Sequence, residues 1–204
     1  MIESFQKQPR VKVLPAFNFD PRLRLRETDL NEVARKAESM LPQYVNGDID
    51  VTITLLEKNL HIMADRALMA EALTHLIKNA VDAMPDGGKF SLSTNQVNFE
   101  IESLLDGDDY IMGICASIRL TDTGIGIDEK IREKIFEPFF TTKTDGNGLG
   151  LAIAYRIIKQ HHGTIEIESQ VEQGTEVNIY LPLTRPEMVS MMSIPLGASY
   201  DKVN

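Results

Sequence analysis

Asn79 lies in the run His75-Leu76-Ile77-Lys78-Asn79-Ala80. At 3.6 residues per turn, Ala72, His75, Asn79 and Ala83 share one helical stripe, beside the apolar stripe rather than opposite it. An amide at the margin of a buried face needs partners, because burying it unpaired is costly. Its carbonyl oxygen suits Mg²⁺, a hard cation that takes oxygen ligands and keeps waters alongside phosphates. A plain hydrogen-bonded surface asparagine fits the same run. The second segment, Asp122-Thr123-Gly124-Ile125-Gly126-Ile127, follows a strongly alternating stretch. A carboxylate at a strand end can accept from an exocyclic amine such as that of adenine, and the glycines let backbone approach a flat base. A tight turn capped by Asp122 is the alternative. The third, Gly146-Asn147-Gly148-Leu149-Gly150-Leu151, opens a helix, where free N–H groups and the dipole favour phosphate. Lys143 stands just upstream with a point charge. A Gly-rich turn before a helix is also a common structural device. Neither a P-loop nor a dinucleotide fingerprint is present.

The elements that must position these residues follow from periodicity. Residues 1–21 read as linker, and Arg22-Leu23-Arg24-Leu25-Arg26 as an edge strand with its arginines in water. Asp29 with Glu32 forms a capping box for a helix carrying Leu30, Val33, Ala34, Ala37 and Met40, stopped by Pro42 and Asn46-Gly47. Ile49, Val51, Ile53 and Leu55 alternate as a half-buried strand, and Leu60–Ala64 is a short one. Asp65 caps a long helix with Leu73, Leu76, Ile77, Ala80 and Met84 inward, ended by Asp86-Gly87-Gly88. The clearest later strand runs from Tyr110 to Leu120, with Met112, Ile114, Ala116, Ile118 and Leu120 on one face. Residues 123–147 lack periodicity, and a loop that long is usually functional, often a lid. A helix from about Leu149 to His161 and strands near Thr164–Glu168 and Glu176–Leu181 complete the pattern. The tail from Pro186 shows none. This irregular alternation predicts an α+β, two-layer α/β sandwich, one face of a mixed sheet covered by helices.

The 204 residues, 43% hydrophobic and 25% charged, suit one globular domain with tails. One cysteine, Cys115, excludes an internal disulfide and a thiolate metal cage, as in a reducing compartment. No secretory signal or bilayer-length apolar run is visible, so a cytoplasmic location is expected, whether or not a longer parent is membrane-anchored. A net charge of −9 argues against nucleic acid as a partner. So acidic a chain holds a polyphosphate only with local cations, a metal or well-aimed amides.

In this order the three segments resemble the N, G1 and G2 boxes of the histidine-kinase/gyrase/chaperone ATPase superfamily. Phe136-Glu137-Pro138-Phe139-Phe140-Thr141-Thr142-Lys143 resembles the F box of sensor histidine kinases, and Gly174-Thr175 the last glycine-threonine element. The resemblance covers roughly residues 22–184, with 185–204 as a tail. It implies the Bergerat-type fold, a mixed, mostly antiparallel sheet with helices on one face and an ATP lid. By this resemblance Asn79 coordinates the Mg²⁺ that bridges the ATP phosphates. Asp122 binds the adenine amino group, Gly124 and Gly126 shape the pocket, and Thr175 supports it through water. Gly146, Gly148 and Gly150 with the amides near Asn147, Leu149 and Leu151 cradle the phosphates. Ala83, Ile127, Phe136 and Thr142 complete the nucleotide-binding set. Residues 128–147 form the mobile lid, with Phe136, Phe139 and Phe140 packing it down and Lys143 near the phosphates. Asn79 and Lys143 are the residues implied in catalysis.

The implied reaction moves the γ-phosphoryl group of ATP to a histidine on a separate helical-hairpin dimerisation domain, with a response regulator downstream. Here the histidines are His61, His75, His161 and His162, none followed by the acidic residue of an acceptor box. Residues 1–21 are too few for two long helices at 1.5 Å per residue. The phosphoacceptor domain is therefore expected on another segment or chain, and this one is expected to be monomeric. His75 departs from the usual kinase asparagine and is read as a hydrogen-bonded wall of the pocket. The alternatives are a hydrolytic ATPase of the same superfamily, disfavoured by the F-box segment and the lack of Glu at 75, and a non-catalytic ATP-sensing or docking module.

Overall fold

The computed structural model describes residues 23–45, 48–101, 111–144 and 146–184. The expected linker, the Asn46-Gly47 stop, Tyr110 and the tail from Pro186 lie outside them. Seven strands and three helices follow one another as β1 (Arg26–Asp29), α1 (Leu30–Glu38), β2 (Ile49–Thr54), β3 (His61–Ala64), α2 (Arg66–Asp82), β4 (Gly88–Ile101), β5 (Ile111–Asp122), α3 (Gly150–Gln160), β6 (Thr164–Gln170) and β7 (Gly174–Pro182). The main sheet has the order β2-β4-β5-β7-β6. Only β2 and β4 are parallel, while the other neighbours are antiparallel. A separate antiparallel pair, β1 with β3, closes one side. This is the two-layer α+β sandwich that the periodicity predicts.

Alternation along the strands explains the layering. Phe90 and Leu92 of β4, Ala116, Ile118 and Leu120 of β5, and Ile179 and Leu181 of β7 are buried against the helices. The opposite face is polar, and Arg119 Nε there meets Asn178 Oδ1 at 3.1 Å and Glu176 at 3.4 Å. Leu73, Leu76, Ile77 and Ala80 are buried on the core side of α2, and Met84 just past its end is buried as well. At about 1.5–3 kcal/mol for each large side chain, such burial outweighs propensity differences of tenths in fixing the helix.

Element bounds, caps and strand faces depart from the sequence expectations in four places. Of the alternation expected as a strand, Arg22 lies outside the described residues and residues 23–25 precede the strand, because β1 pairs Arg26 with Ala64 and β3 has no residue beyond that to offer. Arg24 N–H instead donates to Asp65 Oδ2 at 3.3 Å. The capping box at Asp29 is half made. Asp29 Oδ1 accepts from Asn31 N and from Leu60 N, both at 3.0 Å, but Glu32 pairs with Arg66 at 3.0 Å. Helix α1 ends at Glu38, before Pro42, which starts a separate 3₁₀ turn at Leu41–Gln43. Ile114 is 43% exposed, since the β5–β7 pairing stops at Cys115 and Pro182 and leaves it uncovered.

His161 joins the two long helices. Its Nε2 accepts the Asp65 N–H at 2.9 Å, and Nδ1–H donates to the Ile157 carbonyl at 2.7 Å. Both bonds together require the neutral ring, since a protonated Nε2 would face another donor. Burial accordingly lowers its pKa below the ordinary 6.5, against the opposing pull of the Ile157 carbonyl and Asp65. The fold thus refuses a proton that the unfolded chain accepts. Its stabilising contribution is complete above pH 6.5 and is lost as pH falls from there toward the lowered folded value. The thermal midpoint should fall between about pH 7.5 and 5.5, and this slope should flatten in His161→Gln, as measured by melting scans across that range.

Candidate functional site

Helix α2 begins because Asp65 caps it, Oδ1 accepting from Ala67 N at 3.1 Å and Leu68 N at 3.3 Å. Its margin stripe of His75, Asn79 and Ala83 is met by a different loop at each position. At the first level Gly150 lies against His75, close enough that a Cβ on the glycine would stand 3.2 Å from the imidazole Nδ1. At the second, Lys143 Nζ donates to Asn79 Oδ1 at 3.1 Å and to Asp82 Oδ2 at 2.8 Å. At the third, the Ala83 carbonyl accepts from Ile125 N at 2.9 Å, and Gly124 is so close to that carbonyl that no side chain fits there. One stripe of one helix therefore gathers the three segments singled out in the sequence.

Asp122, the last residue of β5, is 5% exposed. Its Oδ1 accepts from Gly124 N at 2.9 Å. Burial raises its pKa above the ordinary 3.8, and backbone N–H groups of Gly124 and Thr175 oppose that rise. A buried carboxylate so held is a strong acceptor with lone pairs to spare. Thr175 sits directly across from it on β7. Gly126, with φ of +68°, passes against the Gln170 carbonyl, where a Cβ would collide. Ile127 N donates to Ser169 Oγ at 2.8 Å.

The loop after Ile127 is partly built. Asp128 caps a 3₁₀ segment at Glu129–Lys134, which lack of periodicity had hidden. Phe136 packs on Tyr155 of α3 with ring centroids 4.9 Å apart. Phe140 is half-buried, but Phe139 is 74% exposed and packs nothing down. Its backbone explains this: φ is +69°, and its N–H is tied to the Gly148 carbonyl at 3.0 Å. Gly148 itself has φ of +68° and leaves no room for a Cβ against Phe139. Thr142 is exposed, and Gly146 N donates to Lys143 O at 3.3 Å. Asn147 Oδ1 accepts from Leu149 N at 3.1 Å just before α3, while Leu151 packs on the core. Sequence reading missed Asp82, Arg132 and Ser169. Arg132 Nη2 donates to Ser169 O at 2.9 Å. Asp82, one turn beyond Asn79, was visible only as helix spacing, and Ser169 as one more polar position in an alternating strand. His75 Nε2 lies 3.9 Å from Glu71 Oε1, one turn earlier on α2.

The donor set fits a metal brought in with its ligand rather than a resident one. Asn79 offers a carbonyl oxygen, and no group of three or more metal-ligating acids, histidines or cysteines occurs among the described residues. Two surface cavities, of about 390 and 630 Å³, lie elsewhere and share only Asp82 with this constellation.

The strand order, the single helical layer and the glycine-framed mouth beside Asp122 define the class, an α/β sandwich of Bergerat type. Residues 64–185 match the family of histidine kinase-, DNA gyrase B-, and HSP90-like ATPases, and the chain belongs to that family. It is 37% identical over 174 residues to the sensor kinase CckA of Brucella abortus (strain 2308), an overlap of 84% of this chain and 18% of that protein. The nucleotide-free catalytic domain of histidine kinase ThkA superposes with a TM-score of 0.63 at 30% identity, covering 78% of this chain and 96% of that one. Full-length ShkA in complex with AMPPNP superposes at 0.60 with 27% identity, covering 79% of this chain and 32% of that one. The chain spans between 18% and 34% of the first curated relatives it matches. No helix among the described residues is long and apolar enough to cross a membrane.

Proposed function

We propose that this chain is the catalytic domain of a two-component sensor histidine kinase. It binds ATP with Mg²⁺ and passes the γ-phosphoryl group to a histidine nitrogen on a separate dimerisation and phosphoacceptor domain, from which a response regulator takes it. The observation that carries this reading is the α2 stripe, where Gly150, Lys143 and Gly124 meet His75, Asn79 and Ala83 in turn. Asp122 receives the adenine amine, with Gly124, Gly126, Ile127 and Ala83 walling the base and Thr175 beside it. Gly146, Gly148 and Gly150, with the amides of Asn147 and Leu151 and that of Leu149 once released from Asn147 Oδ1, face the phosphates at the start of α3. Phe136 anchors the lid on α3, and Thr142 and Lys143 line its inner edge.

When bound, Mg²⁺ would neutralise charge on the phosphate oxygens, and Asn79 is the residue that would hold it. Lys143 Nζ now rests on Asn79 Oδ1 and Asp82, so it must leave that oxygen and turn toward the phosphates. Positioning and charge neutralisation are the main demands of phosphoryl transfer. The O–P bond to the β,γ-bridging oxygen breaks as the N–P bond forms, with ADP leaving. Glu71, the acid beside His75, lies two turns before Asn79 on α2, about 12 Å along the axis, too far to activate water at the phosphates, which favours transfer over hydrolysis.

The test is calorimetry with AMP-PNP, with and without Mg²⁺, followed by transfer from labelled ATP to a phosphoacceptor hairpin taken from a related kinase. Expected are metal-dependent binding and label on the hairpin histidine. Binding without transfer to any hairpin would leave an ATP-sensing module, and turnover of ATP to free phosphate would favour the hydrolytic branch.

A further inference from the structure

Ser169 of β6 bonds to three parts of the candidate site at once. Its Oγ accepts the Ile127 N–H at 2.8 Å, donates to the Gly174 carbonyl at 2.9 Å, and lies 2.9 Å from Thr175 Oγ1. A serine hydroxyl has one hydrogen and two lone pairs. The Gly174 carbonyl can only accept, so the serine hydrogen is committed to it. The Ile127 N–H can only donate, so it takes one lone pair. The contact with Thr175 is left a single solution: Thr175 donates and Ser169 accepts. The threonine hydrogen is thereby turned toward β6, and its oxygen has only lone pairs left to present.

Where those lone pairs face follows from register. Thr175 is directly opposite Asp122 in the antiparallel β5–β7 pair, and such partners project from the same face of a sheet. The Thr175 N–H is also one of the groups bonded to the Asp122 carboxyl. The buried carboxylate and the threonine oxygen therefore stand side by side, both as acceptors. Toward a ligand these two side-chain oxygens accept and do not donate. Arg132, donating to Ser169 O, fixes the same residue from the loop side.

Resting on the ATP-site reading above, we propose that Ser169 is a positioning residue for base selection: by consuming the Thr175 hydrogen, it makes the recognition end acceptor-only. Such an end favours a purine with an amine at position 6 and rejects one with an oxygen there. A 6-oxo purine seated in the same pose would oppose lone pairs to lone pairs at position 6, and a site with buried polar groups left unpaired discriminates strongly. Without Ser169 the Thr175 hydroxyl is free to rotate and donate to that oxygen.

The test compares dissociation constants of ADP and inosine diphosphate, measured by calorimetric competition on the 204-residue chain. Ser169→Ala should lower the preference for ADP about tenfold, chiefly because inosine diphosphate binds more tightly, with the ADP constant changed less than about threefold. Ser169→Thr, which restores the hydroxyl, should recover the wild-type ratio. Thr175→Val, nearly isosteric, should lower the ratio from the other side by weakening ADP, and it carries the test alone should Ser169→Ala fail to melt cooperatively. Ser169→Ala weakening both nucleotides by one common factor would mean a merely structural serine and would overturn the proposal, as would an unchanged ratio in Thr175→Val. A folded wild type that binds no ADP would instead undo the nucleotide-site reading itself, and this inference with it.

Discussion

Asp122→Asn is expected to weaken AMP-PNP binding by at least about 100-fold while leaving the thermal midpoint unchanged or raised. The two halves of this result have one cause. Burial raises the Asp122 pKa, so the charged form is the one the fold tolerates least. A carboxyl whose folded pKa lies above its unfolded value stabilises below the unfolded value of 3.8 and loses that contribution as pH rises through the shifted one. At neutral pH the carboxylate is thus a net cost to the fold, partly offset by the Gly124 and Thr175 N–H groups. An asparagine of the same shape removes the charge, keeps an oxygen for Gly124, and loses the charge-assisted acceptor that an amine requires. Calorimetry beside a melting scan checks both halves. A large drop in the midpoint with little loss of affinity would make Asp122 a structural cap, as the tight-turn alternative has it.

Asn79→Ala is expected to reduce phosphotransfer by roughly 100-fold or more, with metal-free AMP-PNP binding retained. The side chain is only half-buried and its recorded partner is Lys143, so no core contact is lost. Alanine is also the better helix former, by a few tenths of a kcal/mol in a helix interior, so α2 should not weaken. The loss should fall on the metal-dependent part alone. A titration with Mg²⁺ at fixed AMP-PNP should show the difference between metal-free and metal-bound affinity shrinking toward zero. Transfer at the wild-type rate in this variant would remove Asn79 from the metal and leave it as a surface residue serving Lys143. The Lys143 bond to Asp82, 2.8 Å in the unsubstituted chain, does not involve Asn79 and should keep this tie of the lid to α2.

Kinship with kinase catalytic domains was legible in the sequence because the three segments are short, local and ordered. The Asp65 cap, the inward face of α2, the alternation of β2, β5 and β7 and the glycines before α3 are all fixed by neighbours a few residues away. Sequence periodicity was also enough to define the helical layer and its sheet, since both patterns record which face meets the core.

Contacts between distant segments were decided only by the tertiary structure. Lys143 reaches Asn79 across 64 residues and Asp65 N–H reaches His161 across 96, and no local rule specifies either pair. The exposure of Phe139 likewise depends on where Gly148 comes to lie. Ser169 carries no motif of its own in an alternating strand. Its meaning arises when β6 and β7 pair and bring Gly174, Thr175 and Ile127 around one hydroxyl. The sequence by itself determined which residues are available, because backbone preference and burial periodicity act locally. Their partners, protonation and polarity belong to the assembled fold, because hydrogen bonds and desolvation depend on proximity in space.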